Sequence, residues 1–310
     1  MVRIPCRIAA SIARILRVIL DARRFPAERS GRNPPRSIES VSRSGLSTSS
    51  NLDVPPTASR ARLWWEVAIV LSLSLGQYAV YAIVQLADAL SRTVPLSQQT
   101  TTLNPSLNSR EVFDLIYQVL ALSFDLAPVV LVCFLLWSPG SPHLHRLGID
   151  ARRPFGDAWR GVTLALLIGI PGIALYLAGR ALGLGLTVDA AGLAAHWWTV
   201  PILLLSALRA GLQEEVIILG YLFERLRQLG WGRWQIIVGA AILRGSYHLY
   251  QGFGAFVGNF LMGMLFGFLY TRTRRVLPFV IAHFVIDAAI FVGYPWAAAT
   301  FPALFGSTSG

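Results

Sequence analysis

Seven stretches of this chain are apolar over lengths close to the thickness of a lipid bilayer. They lie near 64–89, 112–137, 160–179, 198–222, 234–250, 254–271 and 276–295. About 20 apolar residues of helix cross the roughly 30 Å hydrocarbon layer. Within that layer only helices or a closed barrel satisfy their own backbone. Long unbroken apolar runs read as helices rather than alternating strands. We therefore expect an all-α fold, a polytopic transmembrane helical bundle of about seven or eight spans. An eighth, partial helix has room in the N-terminal tail or in the third run, which extends through Gly185. Pro171, inside that third run, is expected to kink it.

Composition fits this class: 54% of the 310 residues are hydrophobic and 14% are charged, with mean hydropathy +0.55. Two cysteines, Cys6 and Cys133, supply neither a disulfide framework nor a thiolate metal site. The net charge of +11 comes from 27 basic residues, all of them arginine, a usage that suggests a GC-rich, bacterial genome. Nucleic acid is not the expected partner, because 12 arginines precede Leu63 and most others flank apolar runs. Segments expected on the inside carry 22 arginines against 3 outside, and still 10 against 3 without the tail. That bias puts the N-terminus in the cytoplasm of a multi-pass cell-membrane protein.

The chain divides by composition. Residues 1–62 form a basic tail whose first part, to Arg24, could lie on a membrane as an amphipathic helix. The Ser-, Pro- and Arg-rich remainder is expected to be disordered. Arginines interrupt its apolar part, so a transit peptide fits it better than a cleavable signal. N-terminal transmembrane helices follow over 63–139, a transmembrane core over 140–297 and a short C-terminal tail over 298–310.

Ionisable residues within the core are the chemically informative part. The fourth run carries Arg209, Glu214 and Glu215, the fifth Arg244 and His248, and the seventh His283 and Asp287. A charge at bilayer depth costs roughly 2.5 kcal/mol or more and marks function by default. Counted from the cytoplasmic ends at 1.5 Å per residue, Glu214 lies about 15 Å deep, His283 about 11 Å, Asp287 about 17 Å and His248 about 20 Å. Independent helices thus carry these groups toward one level. His283 and Asp287 share a helix face, as do Arg244 and His248. Glu214 and Glu215 point about 100° apart, so one can face a reaction centre while the other holds Arg244 or Arg209. Imidazoles and carboxylates so placed can bind a divalent cation or position a water for a carboxylate base. Asn259 and the glycines Gly258, Gly263 and Gly267 of the sixth run read as helix-packing residues. Asp114 and Asp125 read as polar glue or cavity-facing groups. Trp64, Trp65, Trp197, Trp198, Trp231 and Trp234 fall at run ends, as an interfacial belt should. The basic run Arg272–Arg275 reads as a topology anchor.

Glu214-Glu215 followed by Leu219, Arg244-Gly-Ser-Tyr-His248 and His283-Phe-Val-Ile-Asp287 resemble, in order and spacing, the motifs of the CPBP family. These are the CAAX protease and bacteriocin-processing intramembrane endopeptidases, also called Abi. The resemblance covers about 140–295 and implies a metalloprotease-like intramembrane hydrolase. Implied roles are Glu214 as general base and His248 as its partner. His283 and Asp287 would act as ligands or oxyanion stabilisers, and Glu215 as an orienting group, with Arg244 and Asn259 in support. It implies a divalent metal such as zinc at His248, His283 and Asp287, or a metal-free mechanism in which Glu and His activate the water directly. It implies membrane lipids and membrane-associated or lipidated peptides as partners, as for a CAAX prenyl protease. Two positions depart from the pattern: Leu219 replaces the family arginine, and Arg244 the family phenylalanine. We expect Arg244 to supply from the fifth run the cation missing at 219 and to pair with Glu215. A non-catalytic scaffold or bacteriocin-immunity protein on the same fold is the alternative, and an ion-coupled transporter a further one. Polar groups confined to the last runs without an inverted repeat speak against a transporter.

Overall fold

The structure is a computed structural model. It describes residues 59–137, 147–190 and 192–300, the last without the side chains of 297–299. The expected tail before residue 59, the 138–146 segment around the expected 139/140 boundary, and the C-terminal end after residue 300 lie outside the described residues. The chain divides into Met1–Arg62 and Leu63–Gly310, and the packing described below is that of the second unit.

The described residues are mostly helical, in chain order α1 (Arg60–Ser72), α2 (Leu75–Ser91), α3 (Glu111–Asp125), α4 (Ala127–Leu135), α5 (Pro154–Ala181), α6 (Thr199–Glu215), α7 (Phe223–Gln228), α8 (Arg233–Ser246), α9 (Phe253–Thr273), α10 (Leu277–Ala288) and α11 (Tyr294–Thr300). Two three-residue strands, β1 (Thr100–Thr102) and β2 (Thr187–Asp189), pair in parallel. Four segments are long and apolar enough to cross a membrane: Glu111–Leu135, Pro154–Ala181, Phe253–Thr273 and Leu277–Trp296. A fifth is added if α1 and α2, bent by 54° at their junction, form one broken span.

The fourth and fifth runs do not join this set, for physical reasons. From Thr199 to Gln228 the backbone stays helical, with a π-helical segment, Val216–Leu222, between α6 and α7. Within the 198–222 run three ionisable residues, Arg209, Glu214 and Glu215, interrupt the apolar character. Helix α8 has only 14 residues, about 21 Å of rise. It stops in a 3₁₀ turn, Leu249–Gln251, that ends at Gly252 with φ 103°. A side chain at 252 would also collide with the Gly185 backbone, to which Gly252 is bridged. Pro171 lies inside α5, which continues helical through it. The 64–89 run breaks instead at Leu73–Ser74, where Ser74 Oγ donates to the Val70 carbonyl and Gly76 follows, a combination that favours a kink.

Helix α10 packs between α5 and α6, α9 packs on α8 and α5, and α2 packs against the 249–251 turn and α8. The α8–α9 crossing is close because Gly263 faces the Ala241 backbone, where an added Cβ would sit 3.0 Å from Cα. Charged latches sit at the rim. Arg225 donates to Glu66 at 2.6 Å and to the Leu135 carbonyl at 2.9 Å, joining α7 to α1 and α4. Arg275, in the expected topology anchor, binds the fully buried Asp157 at 2.6 Å and Asp150 at 2.9 Å. Its hydrogen bonds to Asp157, then to Asp150, hold the guanidinium proton more tightly than usual despite partial burial. Of the expected tryptophan belt, Trp65 and Trp197 are exposed, whereas Trp198 is core, packed with Ile202, Leu203 and Phe291.

Candidate active site

Helix α6 brings Glu214 and Glu215 to its last turn, where the helix widens into the π segment. The two carboxylates diverge, as adjacent helical residues must. Glu215 turns into the protein and is fully buried. Its Oε1 accepts from Arg244 Nη2 at 2.5 Å and meets His283 Nδ1 at 2.8 Å. Arg244 comes from the last turn of α8 and is itself 1% exposed. A guanidinium beside a carboxylate, with an imidazole on the same oxygen, is the arrangement that makes such burial tolerable. Leu219, one helical turn on, is buried among apolar neighbours. Arg244 thus provides the positive charge near Glu215 that position 219 does not.

Glu214 faces the other way. Its Oε2 accepts from the Tyr247 hydroxyl at 2.5 Å, and Arg244 Nη2 stands 3.9 Å from the same oxygen. That leaves Oε1 free. His248 Nε2 and His283 Nε2 each stand 3.9 Å from Glu214 Oε1. The separation is too long for a direct hydrogen bond. It suits one bridging water, since bonds of about 2.8 Å to two atoms so spaced meet at roughly a right angle. Both ring nitrogens of His248 are buried without a hydrogen-bond partner. Buried polar atoms of this kind are few in native structures and call for an unseen partner.

His283 is held at both ends. Glu215 fixes its Nδ1 side, and Asp287 Oδ2 lies 3.5 Å from Nε2. Carboxylates on either side of an imidazole set which way the ring points. The geometry therefore gathers Glu214, Glu215, Arg244, His248, His283 and Asp287. It leaves out Asn259, whose Nδ2 donates to the Ala255 carbonyl on its own helix. Tyr247 is the residue that sequence reasoning missed. It sits inside the Arg244–His248 motif, but a tyrosine beside a histidine carries no periodic signal, and only the turn after α8 aims its hydroxyl at Glu214.

A cavity of about 680 Å³ reaches this centre. Glu214, Tyr247 and His248 line it, together with Arg209, Asp125 and, just past the C-terminus of α2, the exposed Arg92. Tyr247 and His248 lie at its wall because α8 stops short. Asp125 is thus cavity-facing, whereas Asp114 is buried and accepts from the Leu107 amide at 2.7 Å.

Among the described residues, Glu214, Glu215 and His283 form the set of three whose ligand atoms lie within 4.8 Å of one another. Arg244 Nη2 and His283 Nδ1 already occupy Glu215 Oε1, whereas Glu215 Oε2 is buried without a partner, so a cation held here would have to use Oε2 and stand near the Arg244 guanidinium. The set proposed from the sequence, His248, His283 and Asp287, is not the one drawn this tightly.

A protein-family model described as Type II CAAX prenyl endopeptidase Rce1-like matches residues 196–289. The matched segment contains all six residues of the cluster. No curated protein and no solved structure matches the chain.

Proposed function

We propose that this chain is a membrane-embedded endopeptidase in which Glu214 activates a water for attack on a peptide bond. The observation that carries the reading is the convergence of His248 Nε2 and His283 Nε2 at 3.9 Å on the one free oxygen of Glu214. It is supported by the family match over the same residues, whose description names a prenyl endopeptidase.

In this reading the water sits between Glu214 Oε1 and the His248 ring. Glu214 takes its proton as the water oxygen bonds to the scissile carbonyl carbon. The carbonyl π electrons move onto oxygen, where His283, fixed by Asp287 and Glu215, stabilises the negative charge. As the tetrahedral intermediate collapses the C–N bond breaks, and Glu214 returns its proton to the leaving amine. Tyr247 keeps Oε2 occupied, so that Oε1 is the basic atom. No step passes through a metal.

The substrates proposed are membrane-associated or lipidated peptides, of the prenylated class that the family description names. The bundle is proposed to be multi-pass, with the N-terminus in the cytoplasm of a bacterial cell. The test is cleavage of an internally quenched, farnesylated peptide by the purified protein. Glu214→Gln and His248→Ala should each abolish turnover while expression stays normal. Undiminished cleavage by Glu214→Gln would end the reading. A cellular phenotype kept in full by both variants would favour the non-catalytic scaffold instead.

A further inference from the structure

Two donors on the wall of the cavity have no use in the chemistry above. Arg209 lies five residues before Glu214 on α6, and Gln213 is its neighbour one turn on. Arg209 Nη1 donates to Gln213 Oε1 at 2.9 Å and lies 3.3 Å from Asp125 Oδ2. Asp125 in turn accepts from the Tyr78 hydroxyl at 3.3 Å. These contacts use one nitrogen of the guanidinium, Nη1. Arg209 Nε and Gln213 Nε2 are buried without a hydrogen bond of good geometry, although the Tyr78 hydroxyl interacts with the Gln213 side chain. Gln213 is 2% exposed, yet both residues line the cavity that contains Glu214. Unpaired buried donors from an arginine and an amide, one turn apart, are costly unless an acceptor arrives.

Resting on the proteolytic reading, we infer that Arg209 and Gln213 form a subsite for a carboxylate of the substrate. Arginine presents a planar fork of donors that matches a carboxylate, and the Gln213 amide adds a third donor beside it. Five residues of helix separate Arg209 from Glu214 by about 7.5 Å along the axis. An extended peptide covers that distance in two to three residues. The carboxylate that docks here therefore lies two to three residues from the bond that is cut. It is either the free C-terminus of the substrate or an acidic side chain at that position.

The experiment uses four internally quenched farnesylated peptides of one sequence. Two end in a free acid or an amide. The other two, both amidated, carry Glu or Gln three residues after the cleaved bond. Wild-type protein should cleave the acid about tenfold or more better than the amide if the terminus is read. It should prefer Glu to Gln by a similar factor if a side chain is read. In Arg209→Ala and Arg209→Gln the preferred ratio should fall to near one, and in Arg209→Lys it should be partly kept. A ratio taken within one preparation is insensitive to how much of a variant folds. Wild-type ratios of one in both pairs would overturn the inference, as would ratios unchanged in the Arg209 variants. Binding of labelled acid and amide peptides to Glu214→Gln, read by fluorescence anisotropy, tests the subsite without turnover. If the wild type cleaves none of the peptides, the proteolytic reading fails, while the anisotropy ratio still decides whether the subsite exists.

Discussion

Replacing Arg244 by methionine isolates the charge that makes Glu215 tolerable. Arg244 is 1% exposed and Glu215 fully buried, and they meet at 2.5 Å. Removing one partner of a buried pair typically costs about 3–5 kcal/mol, because the other charge is left without compensation. Two features place this site near the lower end. His283 Nδ1 remains 2.8 Å from the same carboxylate oxygen, and methionine keeps most of the side-chain volume against Phe266, whose ring lies 5.4 Å from the guanidinium carbon. The expected loss is thus about 3 kcal/mol, roughly a hundredfold in the folding equilibrium. Glu215→Gln added to Arg244→Met should recover much of it, since the stranded charge is then gone. The assay is unfolding of the detergent-solubilised protein titrated with sodium dodecyl sulfate, run for both single variants and the double. A loss under about 1 kcal/mol for Arg244→Met, or strictly additive single effects, would refute the claim that these two side chains neutralise one another.

Other outcomes follow from the same geometry. Leu219→Arg introduced into Arg244→Ala should restore part of the lost peptidase activity, because residue 219 lies one turn from Glu215, and no recovery would count against the exchange of cation positions. Gly211→Ala places a Cβ 3.0 Å from the Val280 carbonyl oxygen. Forcing α6 off α10 next to His283 should lower stability by about 1–3 kcal/mol and turnover with it, and wild-type melting and activity would contradict that packing. Purified protein should hold less than one equivalent of zinc by elemental analysis and keep its activity in a strong chelator. A stoichiometric metal lost together with activity would instead restore the His248, His283 and Asp287 site.

What the sequence made legible was the level at which chemistry happens. Helical rise alone puts Glu214, His248 and His283 at similar depths, and the fold brings all three around one oxygen. The i, i+4 spacing of His283 and Asp287 likewise survives as a 3.5 Å contact. Less legible were features that depend on where helices stop. An apolar run over 234–250 looks like a span, but Gly252 and its bridge to Gly185 end α8 at Ser246 and turn Tyr247 onto Glu214. The 64–89 run hid a 54° break because Ser74 and Gly76 alter hydropathy little. The π segment after Glu215 has no composition of its own. The 198–222 run fails as a simple apolar span because of the residues that give it chemistry.

The central claim is that Glu214 and His248 act on one and the same water. The measurement that tests it most directly is turnover of the quenched farnesylated peptide by Glu214→Gln, His248→Ala and the double variant, each corrected for folded protein. Groups that serve a single step do not add. The account predicts that each single substitution lowers kcat by about a hundredfold or more, and that the double variant falls no further than the worse single. A double variant whose loss is the product of the two single losses would contradict it.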